Sequence, residues 1–470
     1  MNKRFICCLL VILVVLPFLN PSLVLAYGKK EDLKIHFDSI IVDSHNDTMM
    51  KVIDNETWLP KVNIGKDTKN HIDIPKLKAG GLKVPFFAAY TAGYYGNDSK
   101  SISRTLALIN ALYWTEVNNR DTFKIVRTVE EIEKTVKDGK VAAVPTIEGG
   151  YSFNESNAIE LVNQYYYLGV RVVGFNWNYS NYLGEGCNRI YGDPKKTPSS
   201  GGLTKLGEKL AIEMNRLGMV IDVSHMAEST FWDIIAISKA PIIASHSGVY
   251  SLRKHPRNLT DEQLKALGKN GGVIGIVFYP DFLTDSKSAY IKDYVDHIDY
   301  AVKLAGIDHV GIGSDFDGGR LPNDIKDSSE LYKVTEELVR RGYSKEDIGK
   351  LLGKNTLRVL NEVQRIAKAN SKDSKRNLYI TPELKMGEIV VNSTPLLAAK
   401  IESLSGVKID ETKSRIIVDG ISYKPIYNEK TSNLSLKIKK PLKEKFHVVT
   451  FEVWDNKGDI QRETRIFYIK

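Results

Sequence analysis

The sequence predicts an α/β chain: a (β/α)8 TIM-like barrel followed by a small all-β sandwich. Three observations carry this reading. Eight short apolar runs recur between residues 39 and 318, and helical or loop stretches separate them. The runs do not alternate apolar and polar residues, as expected of strands buried on both faces. Beyond about residue 370 the text changes to short strands and turns near a ten-residue spacing, the pattern of an antiparallel sandwich.

The runs are SIIVDSH (39–45), VPFFAAY (84–90), VAAVPTIEGG (141–150), VRVVGFNW (170–177), MVIDVSH (219–225), PIIASHS (241–247), GVIGIVF (272–278) and HVGIGSDFDG (309–318). Helix patterns fill 203–218 and 290–306, and residues 327–342 and 344–364 close the series. Eight such units make a barrel with long loops. A doubly wound open sheet is disfavoured, because no Gly-rich phosphate loop follows the first strand. Residues 371–387, beginning in the polar KANSKDSKRN run, are expected to be a linker, and 388–470 the sandwich. The phrase PLKEKFHVVTFEVWDNKGD resembles the last strands of bacterial immunoglobulin-like modules on exported proteins.

Lys3 and Arg4, the apolar run FICCLLVILVVLPFL at 5–19 and the small Ala26 have the layout of a cleaved signal peptide, residues 1–26. The run is short for a membrane span of about 20 residues. Cys7 and Cys8 lie at its start, where no lipoprotein attachment is expected. Cleavage would leave residues 27–370 as the barrel of an exported, extracellular or cell-surface chain. Of the three cysteines Cys187 alone would remain, so no internal disulfide can form and the core must hold the fold. The chain has 66 Lys+Arg against 57 Asp+Glu, without a dense basic block, which argues against a dedicated nucleic-acid binder and leaves room for a weak attraction to anionic polymers.

The candidate chemistry sits at strand ends, which form one functional face in this architecture. The chain has nine histidines, and His45, His225 and His246 each end a predicted strand. His45 and Asp47 are two apart on an extended chain and point to one side. Together they offer nitrogen and oxygen to one metal ion, a set that suits zinc. Glu148 ends the third run and carries two oxygens, enough to bridge two ions. His225 and His246 are placed to hold the second. Asp315 and Asp317 follow the eighth run; Asp315 is nearer the strand and is the better candidate to shuttle a proton to a leaving group. Two such ions with a bridging hydroxide can attack an amide or ester carbonyl.

The motifs VDSHND (42–47), HIDIPKLKAGG (71–81), IEGGYS (147–152), LGVR (168–171), DVSHM (222–226), ASHSGVYSLRKHPRNL (244–259) and GIGSDFDGG (311–319) stand in order. With them the chain resembles the membrane dipeptidase (renal dipeptidase) family of dinuclear zinc peptidases, from about residue 36 to 368. The resemblance implies a barrel of the metal-dependent hydrolase type and two Zn2+ per chain, with another divalent ion as the alternative. It implies His45 and Asp47 on one ion, His225 and His246 on the other, and Glu148 between them. It further implies that Arg257 and Asp315 hold the two ends of a dipeptide. The roles agree with chemistry: a guanidinium fork suits a carboxylate, and a carboxylate suits an ammonium.

One departure stands out. After LGVR the mammalian members carry a substrate-contacting histidine, and here Trp177 occupies that place. Tryptophan offers an N–H and a flat apolar face but no basic nitrogen. The substrate range is therefore not carried over with the metal set. The leading expectation is a secreted zinc dipeptidase. Its rivals are a related binuclear amidohydrolase for another small amide, lactam or ester, and an inactive surface-binding barrel. Expected partners are a dipeptide, a cell-surface or wall contact through the C-terminal module, and a second copy of the chain.

Overall fold

The structure, a computed structural model, describes residues 33–96, 99–187, 201–370, 378–403, 406–419, 421–444 and 446–470. The expected signal peptide lies outside them.

The barrel strands are β1 (Ile41–Asn46), β2 (Leu82–Tyr90), β3 (Phe123–Ile125), β4 (Val141–Glu148), β5 (Val172–Gly174), β6 (Val220–Asp222), β7 (Ile243–Ser247), β8 (Val273–Ile276) and β9 (Val310–Ile312). All are parallel, in the order β2-β1-β9-β8-β7-β6-β5-β4-β3, and a β2–β4 pairing closes eight of them into a barrel. β4 is shared. Its first three residues pair with β3 and its last five with β2. The eight apolar runs thus become the eight staves, while the short β3 and the Ser99–Asn118 helix before it were not anticipated.

The residues at the strand starts explain the closed end. Val42, Val84, Val144, Val172, Val220, Ile243 and Val273 form one buried cluster with Leu357, Leu360 and Val363 of the Asn355–Asn370 helix. Branched side chains fill the barrel's narrow interior, and that helix lies across its N-terminal end. The opposite, C-terminal mouth is left for loops and polar side chains. The expected helices are present as Lys205–Leu217, Ile291–Ala305 and Tyr332–Arg340. The last expected stretch is helical throughout, with a π-turn at Lys350–Lys354.

The C-terminal strands are β10 (Leu378–Pro382), β11 (Glu388–Val390), β12 (Leu396–Ser403), β13 (Arg415–Val418), β14 (Ile421–Tyr423), β15 (Ile426–Asn428), β16 (Asn433–Lys437), β17 (Phe446–Trp454) and β18 (Ile460–Ile469). They make two sheets, β10-β12-β16-β15 and β11-β18-β17-β13-β14. Leu397, Ile401 and Leu434 face Ile416, Phe451, Val453 and Phe467 across one core. Of the expected linker 371–387, residues 371–377 lie outside the described residues and the part from 378 needs correction. β10 lies inside it, because Leu378 and Ile380 alternate inward and the strand pairs antiparallel with β12. The sandwich also packs on the barrel: Ile466 joins the barrel's main core, with Met386, Phe446 and Val448 against it.

Candidate metal centre

At the C-terminal mouth the chain places six of the expected residues within a few ångströms. His45 is the fifth residue of β1, and Asp47 follows the strand directly. Asp47 stands at the N-terminus of the Thr48–Val52 helix but makes no side-chain cap bond, so its carboxylate is turned to the centre. Glu148 is the last residue of β4 and His246 the fourth of β7. His225 does not end a strand as expected. β6 stops at Asp222, and His225 sits in the following turn at φ 66°. Asp315 likewise lies beyond β9, at φ 61°. Left-handed backbone is uncommon outside glycine, although His and Asp adopt it more readily than most, and here it aims two side chains inward.

Distances define two overlapping groups. Glu148 Oε1 is 2.8 Å from His225 Nε2 and 3.4 Å from His246 Nε2. Glu148 Oε2 is 3.4 Å from His45 Nε2, which lies 3.8 Å from Asp47 Oδ2 and 3.9 Å from Asp315 Oδ1. The His225 and His246 Nε2 atoms are 2.9 Å apart, and the His45 and His246 rings stack at 3.7 Å. Glu148 therefore divides its two oxygens between the groups. Donor atoms of Glu148, His225 and His246 all fall within 4.8 Å of one another, as do those of His45, Asp47 and Asp315.

The electrostatics call for positive charge. Burial, with the neighbouring Asp47 carboxylate, pushes Glu148 up to about 7 against the opposing pull of His45. Burial, Asp47 and Glu148 likewise raise Asp315 well above the carboxylate range. At His45 burial disfavours the imidazolium, but Glu148 and Asp47 outweigh it and raise the ring well above 6.5. His225 and His246 go the other way: burial and the nearby Arg257 and His45 keep them neutral, as ligand imidazoles must be. His45 Nε2, Asp47 Oδ1 and Glu148 Oε2 are buried without a hydrogen-bond partner. One such orphan costs about 1–3 kcal/mol, and three converging on one spot fit divalent cations held by nitrogen and oxygen.

A third trio, His45, Asp222 and His246, is also close enough to hold an ion. Asp222 is already engaged. Its Oδ1 accepts from the N–H groups of Ser224 and Ser245, and its Oδ2 accepts from Ser245 Oγ at 2.6 Å. Ser245 Oγ in turn lies 2.8 Å from His246 Nδ1. Asn178, at φ 58°, places Oδ1 2.7 Å from His225 Nδ1. Sequence reading missed these supports, although Asp222 lies within the DVSHM motif. Asp317 is no part of the centre. It accepts from the N–H groups of His71 and Ile72 and from Thr48 Oγ1.

Around the cluster is a cavity of 430 Å³, whose wall includes Trp177, His255, Arg257, Tyr279 and Phe282. The Trp177 ring centroid is 6.1 Å from that of His225. Arg257 is 3% exposed; Nη2 donates to His246 O at 2.8 Å, and Nη1 lies 3.4 Å from Ser247 Oγ. Its Nε has no partner.

A closed (β/α)8 barrel with His, Asp and Glu donors converging at its C-terminal mouth has the build of a metal-dependent hydrolase. The profile of the membrane dipeptidase family, peptidase family M19, matches residues 30–374, and the chain belongs to that family. It is a metallo-dipeptidase. Dipeptidase verJ of Clonostachys rogersoniana is 30% identical over 365 residues, 75% of this chain and 91% of that protein. A Rhodobacter sphaeroides metallo peptidase, solved with a phosphinate mimic of L-Ala-D-Ala, superposes with a TM-score of 0.62 at 30% identity, covering 69% of this chain and 99% of its own. The probable dipeptidase PvdM of Pseudomonas aeruginosa gives 0.65 at 26% identity, covering 73% and 99%. The family match ends before the first strand of the sandwich.

Proposed function

We propose that the chain is a zinc-dependent dipeptidase that works outside the cell. Glu148 carries the reading, with one oxygen toward His225 and His246 and the other toward His45. His45 and Asp47 would hold one ion, His225 and His246 the second, with Glu148 between them. Two bound zinc ions supply an acidified water and a polarised carbonyl at neutral pH.

The chain's own residues do the rest. Arg257 receives the substrate carboxylate on its unpartnered Nε side, while its bond to His246 O fixes the guanidinium. Asp315 takes the ammonium end and the proton bound for the new amine. Trp177 gives the cavity a flat wall beside His225. That wall also favours a second reading, a binuclear amidohydrolase for another small amide, lactam or ester. The positive n-region and apolar run of residues 1–26 support export.

The test pairs metal analysis with a substrate panel. Two zinc ions per chain, and cleavage of free dipeptides but not of their N-acyl or C-amide forms, are expected. Equal cleavage of free and capped forms would favour the second reading.

A further inference from the structure

Next to the main cavity is a shallower depression of 560 Å³, and the two share Tyr279 and Gly318 in their walls. We propose that this depression is a subsite for a carboxylate on the side chain of the substrate's N-terminal residue. The enzyme would then favour dipeptides that begin with Asp or Glu. The inference rests on the dipeptide reading above and adds a substrate class to it.

The lining is rich in donors. Lys51, Lys69 and Arg320 surround the space. Neither lysine has an ion-pair partner among the described residues. Arg320 is paired through Nη2 with Asp281 at 2.7 Å and lies against Tyr279, so it adds positive charge to the rim while part of its fork is already engaged. Asn70 Nδ2 is buried there without an acceptor. His71 Nδ1 accepts from the Asp317 N–H at 3.0 Å, so the ring proton sits on Nε2 and is a further donor. The carboxylate within the lining, Asp317, is spent on the His71 and Ile72 N–H groups and Thr48 Oγ1. A ligand that answers this wall is an anion with acceptor oxygens.

Position assigns the subsite to the first residue of the substrate. Gly318 separates it from the centre, and a Cβ there would lie 2.2 Å from Asp315 Oδ1 and 2.4 Å from Asp47 Oδ2. Any larger residue would displace the two carboxylates, so glycine keeps the shared wall thin beside Asp315, the residue proposed for the ammonium end. Arg257, proposed for the carboxylate end, lines the main cavity and a different neighbouring depression, beside His225 and Ser247. A dipeptide laid from Asp315 to Arg257 has its first side chain on the Lys51 side.

The experiment compares kcat/KM for Glu-Ala and Gln-Ala on the zinc-loaded full chain at low salt. A preference of about fivefold for Glu-Ala is expected, the scale of two exposed ion pairs. It should fall toward one in the Lys51→Met/Lys69→Met double variant and in high salt. The Ala-Glu to Ala-Gln ratio should be the same in both proteins. A Glu-Ala preference near one, or one that the double variant retains, overturns the subsite alone. No cleavage of Glu-Ala, Gln-Ala or Ala-Ala would overturn the dipeptide reading and the subsite with it.

Discussion

Ser245 and His246 are neighbours in β7, yet their side chains meet, with Oγ 2.8 Å from Nδ1. Adjacent strand residues normally face opposite ways, and a register irregularity between Ala244 and Ser247 permits the contact. The Ser245 hydroxyl donates to Asp222 Oδ2, so its lone pair takes the His246 Nδ1 proton. That fixes the tautomer whose bare Nε2 faces Glu148. Ser245→Ala or Asp222→Asn should weaken metal binding about 10–100-fold, the usual effect of losing an outer hydrogen bond on a ligand histidine. Competition with a chelator measures it; unchanged affinity in both variants would remove the relay from the account.

His225→Ala and His246→Ala should each cost one of two metal ions and most of the turnover. Each group has few donors and no substitute imidazole. Metal content per chain decides the point: two ions and normal turnover in either variant would place the centre elsewhere.

Part of this site was legible and part was not, for a physical reason. His45, Glu148 and His246 lie at the ends of apolar runs, so a linear pattern marks them. The same pattern located all eight staves. Asp222 looks like any strand residue, because its work is a hydrogen bond across to β7. Asn178 and His225 depend on left-handed backbone, which their residue types permit but do not place at a given position. β10 was hidden because the polar run before it disguised where the strand began.

His36 should make stability fall in acid. It is buried, with Nε2 donating to Gly80 O at 2.8 Å and Nδ1 accepting from Thr335 Oγ1 at 2.7 Å. Burial lowers it from 6.5 to about 4. The folded pKa lies below the unfolded one, so the unfolded chain binds the extra proton. Stability is whole above pH 6.5 and is lost as pH falls toward 4. At pH 5 the loss is about 2 kcal/mol. Urea unfolding at pH 7 and pH 5 should show His36→Gln less stable at pH 7 but with a smaller drop. An equal drop in both proteins would shift the acid sensitivity to other groups.

Removing the sandwich, residues 378–470, should leave the metal donors in place and cost stability. Ile466 sits in the barrel core, and its loss exposes apolar surface around it. A lower melting temperature with retained metal and measurable turnover is expected. A metal-loaded, folded truncation without turnover would mean that the sandwich helps to complete the site.

Arg257 offers the most direct test of how substrate is held. The guanidinium is buried and anchored through Nη2 to His246 O, with Nε left without an acceptor. Arg257→Met keeps much of the bulk and removes the fork. A hydrogen bond to a charged group contributes about 1.5–3 kcal/mol, so kcat/KM for a free dipeptide should fall roughly tenfold to over a hundredfold. The metals should stay, because arginine is not a ligand. The same change should cost little on a C-terminal amide, which has no carboxylate to hold. Equal losses on acid and amide would mean that Arg257 acts by fixing the His246 backbone. The dipeptide reading would then lose its grip on the substrate's carboxylate end, and the broader amidohydrolase reading would gain.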